Sequence, residues 1–366
     1  MTKSLRILVC PLDWGLGHAA RMVPVIRILI KHGHTVIIGA DKAPLAFLLQ
    51  EFPGLEWIVL PGAAITYGKK RMTAWNIILR MPALIRSKQK EHRLLAELVS
   101  EKAPDMVISD NRYGLWNEQI TSVIITHQLM LKLPGILKIL EYPVHRLIKK
   151  MIQRFDHCLI PDYPGNPNLT GDLAHKYPLP ANADFIGPLS RFDKIAVQNP
   201  PDIDLLILIS GPEPQRSKAE TLLLRAVENF NGSVVLLQGL PGVKNTVKRG
   251  NITIYNHLPS AEINDLINRS QHIIARSGYS TIMDLICLKK NAILIPTPGQ
   301  TEQEYLAEYL GNNQYFTFLK QMDIQPEKLS AENSRGFIPK DFPDTEAGIK
   351  AITTNSMSHT VPPKTA

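Results

Sequence analysis

The sequence predicts an α/β protein with two doubly wound parallel-sheet domains facing one cleft. Three observations predict it. Short apolar runs alternate with segments of helical periodicity, and this alternation starts afresh near residue 204 after a proline-bearing break. The length of 366 residues is too great for one ordinary core and suits two of roughly 150 to 190 residues.

In the first series the runs are residues 5–10, 35–40, 55–60, 105–109 and 122–126, each short and rich in aliphatic side chains. Between the first two, Met22, Val25, Ile26 and Leu29 recur at helical spacing, which predicts a helix over about 19–32 ending at Gly33. The second series is 204–209, 233–238, 252–255, 272–275 and 292–295. Pro200 and Pro201, within the polar stretch 198–202, mark a linker. The expected division is an N-terminal domain of residues 1–197, a C-terminal domain of 203–350 and a flexible tail of 351–366. Open α/β domains bind ligands beyond the C-terminal ends of their strands, so the chemistry is expected in the loops that follow strands.

Composition narrows the class. A hydrophobic content of 44% with 20% charged residues fits a soluble globular chain rather than a disordered or fibrous one. The apolar start ends at Asp13, too short for a signal peptide, and no apolar run is long enough to span a membrane. Cys10, Cys158 and Cys287 are odd in number and scattered, so neither a disulfide framework nor a metal site is expected, and a reducing cytoplasm fits. The net charge is +8, and residues 65–155 hold sixteen Lys and Arg against seven Asp and Glu, a surplus of nine. Lys, Arg and aliphatic side chains interleave over 69–93 and 131–155. Such segments suit an anionic membrane surface, or a core-packed helix with a solvated basic face. No nucleic-acid motif accompanies the charge.

Four loops carry candidate chemistry. Between the first strand and helix, Gly15 and Gly17 precede His18, a residue type able to act as a general base at a helix start; a packing or capping histidine is the alternative. The same glycines admit a dinucleotide-binding reading with Ala20 in third place. Ser210 and Gly211 follow the first strand of the second series and can meet a diphosphate. Arg276, Ser277, Gly278 and Thr281 bring hydroxyls and backbone N–H groups to a helix start, with the Asp284 carboxylate three residues further on suited to a ribose diol. After the next strand, Gln303 and Glu304 open a helix and present groups that can read sugar hydroxyls.

The stretch Arg276-Ser277-Gly278 with Thr281, the acidic residue after it and the proline-to-glutamine spacing that ends at Gln303 resemble the MurG-like glycosyltransferases of family 28. The similarity spans nearly the whole chain and is densest from Arg276 to Tyr305. It implies the GT-B fold, two Rossmann-like domains, and transfer of a hexose-type sugar from a nucleoside diphosphate, UDP, to a hydroxyl acceptor that can be lipid-linked. It further implies inversion, a UDP-sugar as co-substrate, and no other cofactor or metal. By the resemblance Thr281 contacts phosphate, Asp284 the uridine ribose, and Gln303 with Glu304 the sugar. The family carries a second glutamine where Glu304 stands, which leaves the sugar open. The turn Gly187-Pro188-Leu189-Ser190-Arg191 resembles one that offers Arg191 to the diphosphate, and Leu258 is placed to read the base. In the first domain Asp110 and His127 fall where the family has acceptor loops, so His18 or Asp110 is the expected base. The implied location is the cytoplasm, with peripheral contact at the inner face of the cytoplasmic membrane. A nucleotide-sugar epimerase on the same fold and a non-catalytic nucleotide-sugar or lipid-binding protein are the competing readings.

Overall fold

The computed structural model describes residues 4–62, 74–133, 135–194, 201–240, 245–329, 334–339 and 343–358, without the side chains of 74–85, 136, 357 and 358. These residues form two compact units, one of residues up to 189 together with those from 339 onward, and one of 190–338.

In the first unit the order is β1 (Arg6–Cys10), α1 (Leu16–Lys31), β2 (Thr35–Ala40), α2 (Lys42–Glu51), β3 (Glu56–Val59), α3 (Ala74–Lys102), β4 (Met106–Asp110), β5 (Thr121–Ile125), α4 (Glu141–Ile152), β6 (His157–Ile160), α5 (Asp172–His175) and β7 (Ala183–Phe185). The strands pair in parallel in the order β3-β2-β1-β4-β5-β6-β7. Their central members are buried on both faces, which is why they read as unbroken aliphatic runs. Chain order reverses between β1 and β4, so the loops after these strands diverge and leave a crevice at the switch point. Helix α1 begins at Leu16, three residues before the expected start, because Gly15 at φ +130° turns the chain directly into the first helical turn.

The second unit continues with β8 (Ile203–Leu208), α6 (Gln215–Ala226), β9 (Val234–Leu237), β10 (Thr246–Arg249), β11 (Ile252–Tyr255), α7 (Ser260–Arg269), β12 (Ser270–Ala275), α8 (Tyr279–Cys287), β13 (Ile293–Leu294), α9 (Thr301–Asn312) and β14 (Thr317–Phe318). Its sheet runs β10-β11-β9-β8-β12-β13-β14 and is parallel except for the edge strand β10, which pairs antiparallel with β11. The second sheet is thus parallel-dominated, with one antiparallel strand at its edge. The core joins Leu205, Ile207 and Leu236 with Ile254, Ile274, Ile293 and side chains of the flanking segments.

The last helix, α10 (Thr345–Ser358), corrects the expected division of the chain. It belongs to the first unit, not to a second domain running to 350, and 351–358 are helical rather than a flexible tail. Ile349, Ile352 and Thr353 are buried, Thr345 Oγ1 donates to the carbonyl of Ile186 at 2.6 Å, and Glu346 pairs with Lys31 at the end of α1 and with His32 just after it. The linker expected at 198–202 lies mostly outside the described residues, as do 69–73 of the first basic segment.

Candidate active site

Three adjacent strands of the first sheet deliver the candidate catalytic residues. Cys10 at the end of β1 lies in register with Ser109 of β4, and Asp110 with Ile125 of β5. The residues just beyond these ends, His18 after β1, Asp110 itself and His127 after β5, are thereby brought to one spot. His18 occupies the first turn of α1, where Gly15 and Gly17 add no side chains. Asn111 sits at φ +54° and bends the chain immediately after Asp110, in a conformation asparagine tolerates.

The hub is Arg21, which the motif reading did not single out. Its Nε donates to Asp110 Oδ2 at 2.9 Å, its Nη2 donates to Asp110 Oδ1, and its Nη1 donates to His127 Nδ1 at 3.1 Å. His18 Nδ1 lies 2.9 Å from Asp110 Oδ2 and 2.8 Å from Arg21 Nη2. Arg21, Asp110 and His127 are buried, while the His18 side chain keeps 20% of its surface exposed. Burial pushes the Asp110 carboxyl up, but Arg21 and His18 outweigh burial and hold it below the usual carboxylate range. One signal for Arg21 was present in the sequence. It stands three residues after His18, a single cation among the buried Ala19, Ala20, Met22 and Val23 of α1.

Nearby, Asp13 accepts the N–H of Gly62 at 2.6 Å and closes the loop before α1 against the end of the β3 segment. Burial raises the Asp13 carboxyl, against the pull of Arg112. Arg112 itself is buried on Glu91 and on the carbonyls of Leu60 and Pro61, so it braces the walls of the crevice.

In the second unit the sheet again reverses between two neighbours, β8 and β12, and the expected donor loops follow β8, β12 and β13. Gly211, at φ +112°, presents bare backbone to Thr297, whose hydroxyl would lie 3.5 Å from a Cβ added there. Thr297 Oγ1 is buried without a hydrogen-bond partner. Ser210 precedes Gly211 in the same loop, and the Thr281 hydroxyl lies beside Gly278 at the start of α8.

Several residues expected to face the donor are engaged within this unit. Arg276 donates to the carbonyls of Pro296 and Gln215 at 3.1 and 3.0 Å, and burial without a carboxylate partner lowers it to about 10. It ties the loops after β12, β13 and β8 together. Ser277 Oγ donates to the carbonyl of Gln303 at 2.9 Å. Gln303 Oε1 accepts from Thr297 N at 2.9 Å and Glu304 Oε1 from Gly299 N at 2.8 Å, so both side chains shape the loop before α9. Asp284 accepts from Ser190 Oγ at 2.6 Å. Burial pushes its carboxyl up to about 6, against the nearby Arg191 guanidinium and the Ser190 hydroxyl. Arg191 also lies over the Phe192 ring, 4.6 Å from its centroid. Leu258 stands apart from this group. It lines a cavity of about 400 Å³ with Tyr255, Glu262, Asp265 and Arg269, on which none of the other expected donor residues opens. Among the described residues no cluster of three His, Cys, Asp or Glu side chains could hold a metal ion.

Residues 240–356 match the glycosyltransferase family 28 C-terminal domain, and residues 5–130 match a glycosyl transferase family 1 model. The chain is 25% identical over 329 residues to an uncharacterized glycosyltransferase of Methanosarcina acetivorans, covering 82% of each chain. Over 156 residues it is 24% identical to a UDP-N-acetylglucosamine–N-acetylmuramyl-(pentapeptide) pyrophosphoryl-undecaprenol N-acetylglucosamine transferase of Sulfurihydrogenibium, covering 42% of this chain and 44% of that one. Among solved structures, Arabidopsis thaliana UGT89C1 complexed with UDP superposes with a TM-score of 0.61 at 13% identity, covering 97% of this chain and 100% of that one. At that identity the match speaks for the fold. The protein is therefore a glycosyltransferase of the GT-B fold, and its residues 240–356 match the family 28 C-terminal domain.

Proposed function

We propose that this glycosyltransferase moves a hexose-type sugar from UDP to a hydroxyl acceptor with inversion, with His18 as the general base and no obligatory metal. The observation that carries the reading is the His18–Asp110 contact at 2.9 Å, in which a partly exposed imidazole is backed by a fully buried carboxylate. With Nδ1 turned to Asp110, the opposite nitrogen, Nε2, takes the proton of the acceptor hydroxyl as its oxygen attacks the anomeric carbon. The bond from that carbon to the diphosphate oxygen breaks, and UDP leaves with the electron pair. Asp110 acts as the partner of His18 and not as the base, because a buried carboxylate forked by Arg21 and held below its ordinary range is a weak proton acceptor.

On the donor side, the bare backbone at Gly211, the Thr297 and Thr281 hydroxyls and the first-turn amides of α8 suit a diphosphate. Gln303 and Glu304 each carry a second polar atom beyond the one that holds their loop, chemistry that suits sugar hydroxyls. The UDP complex of a protein of the same fold, and a relative that uses UDP-N-acetylglucosamine, support the choice of uridine. That relative's undecaprenol-linked acceptor supports a lipid-linked acceptor here.

Peripheral membrane contact belongs to the same proposal. Ile139, 79% exposed, stands with exposed Leu140, Tyr142 and Leu147 beside Lys138, Arg146 and Lys150. No described helix is long and apolar enough to cross a membrane.

One experiment tests donor and base together. Thermal midpoints of the full chain are measured with UDP-, GDP- and dTDP-sugars, and release of the nucleoside diphosphate is followed for wild type and His18→Ala. A UDP-sugar should stabilise the protein, by about 2.7 kcal/mol at a hundredfold excess over its dissociation constant. His18→Ala should keep that stabilisation and lose roughly a hundredfold or more in turnover. Stabilisation by GDP- or dTDP-sugars alone sinks the uridine assignment, and undiminished turnover in His18→Ala removes it as the base.

A further inference from the structure

Arginine can only donate hydrogen bonds, so the cluster on α1 restricts where protons sit. Arg21 Nη1 against His127 Nδ1 makes that nitrogen an acceptor. His18 Nδ1 is contested, with Asp110 Oδ2 at 2.9 Å offering to accept and Arg21 Nη2 at 2.8 Å offering to donate. The outcome decides whether Nε2 carries a lone pair or a proton, and only the lone pair serves as a base.

We infer that Arg21 is a positioning residue which keeps the proton on His18 Nδ1 by holding Asp110 as a carboxylate acceptor, leaving the Nε2 lone pair outward. The inference rests on the reading of His18 as base. Its physical ground is the burial of Asp110, whose surroundings would favour a neutral carboxyl if the guanidinium were absent. A neutral Asp110 becomes a donor. It then gives its proton to the bond with His18 Nδ1, which must accept, and the ring proton moves to Nε2. Arg21 prevents this with a bidentate fork on both carboxylate oxygens, while its third arm is anchored on His127. Its charge selects the tautomer of His18 through the carboxylate that both residues contact.

The test uses the full chain labelled with ¹⁵N-histidine, with His18→Gln identifying the His18 signal in long-range proton–nitrogen spectra. Wild type should show a pyrrole-like, protonated Nδ1. Arg21→Met should convert it to a pyridine-like Nδ1, and Arg21→Lys, which keeps the charge, should restore the wild-type pattern. Turnover should fall about a hundredfold in Arg21→Met with the donor KM unchanged, and the same substitution should cost nothing further in the His18→Ala background. A pyridine-like Nδ1 in wild type overturns the inference, a result that does not depend on the folding of any Arg21 variant. An unchanged tautomer in Arg21→Met overturns it as well. If His18→Ala keeps full turnover while the tautomer responds as stated, the base assignment fails and the role of Arg21 stands.

Discussion

Asp284 shows how a residue can be legible in the sequence while its partner in the fold is not. Its spacing after Thr281 marks it for a ribose, yet its carboxylate accepts from Ser190, ninety-four positions away. Only folding brings Ser190 there, and no local pattern announces it. Arg276 behaves alike, since its guanidinium ends on backbone carbonyls and supports the loops that flank the site. A group whose folded value is raised, as Asp284 is to about 6, stabilises the fold fully below its ordinary value near 4 and loses that contribution as pH rises through 6. Asp284→Asn keeps an oxygen for Ser190 and has no charge to bury. Its stability relative to wild type should therefore grow by on the order of 2 kcal/mol between about pH 4 and pH 7.5, read from chemical denaturation. An equal difference at both pH values would show that ionisation of Asp284 costs the fold nothing.

At the scale of elements, the parallel core strands were readable because burial on both faces demands continuous aliphatic runs. β6 is buried but only four residues long, while β7 at the edge of the first sheet and the edge strands β10 and β14 of the second lack that pressure, being short or, in Thr246–Arg249, mostly exposed and polar. The start of α1 was misplaced for a different reason. Two glycines read as loop, whereas one of them makes the turn and the other already lies in the helix. Gly15 at φ +130° has open space around it, so Gly15→Ala meets no clash and suffers only backbone strain, about 1–3 kcal/mol. That strain acts on the turn that presents His18. The expected result is a lowered thermal midpoint with turnover reduced more than donor affinity, and a variant equal to wild type in both would show that the turn needs no glycine.

At the scale of the molecule, the two units repeat one arrangement, a doubly wound sheet with polar groups placed where strand order reverses. The C-terminal helix α10 is the exception to sequential order, because it completes the unit in which the chain begins. Removing residues 345–366 uncovers Ile186 and the contacts of α1, and burial of Ile349 and Ile352 alone implies a loss of roughly 3–5 kcal/mol. Such a truncation should lower the thermal midpoint while stabilisation by a UDP-sugar persists, and unaltered stability would deny α10 its structural part. The fold class, the repeated strand series and the loops that hold His18, Gly211 and Arg276 were all written in local pattern, since strand burial, helical periodicity and glycine turns act over a few residues. The contact of Asp110 with His18, the hub at Arg21, the Ser190–Asp284 bond and the return of α10 were decided by tertiary structure alone. Each depends on burial and charge shared between segments far apart in the chain, which become neighbours only when the sheets form.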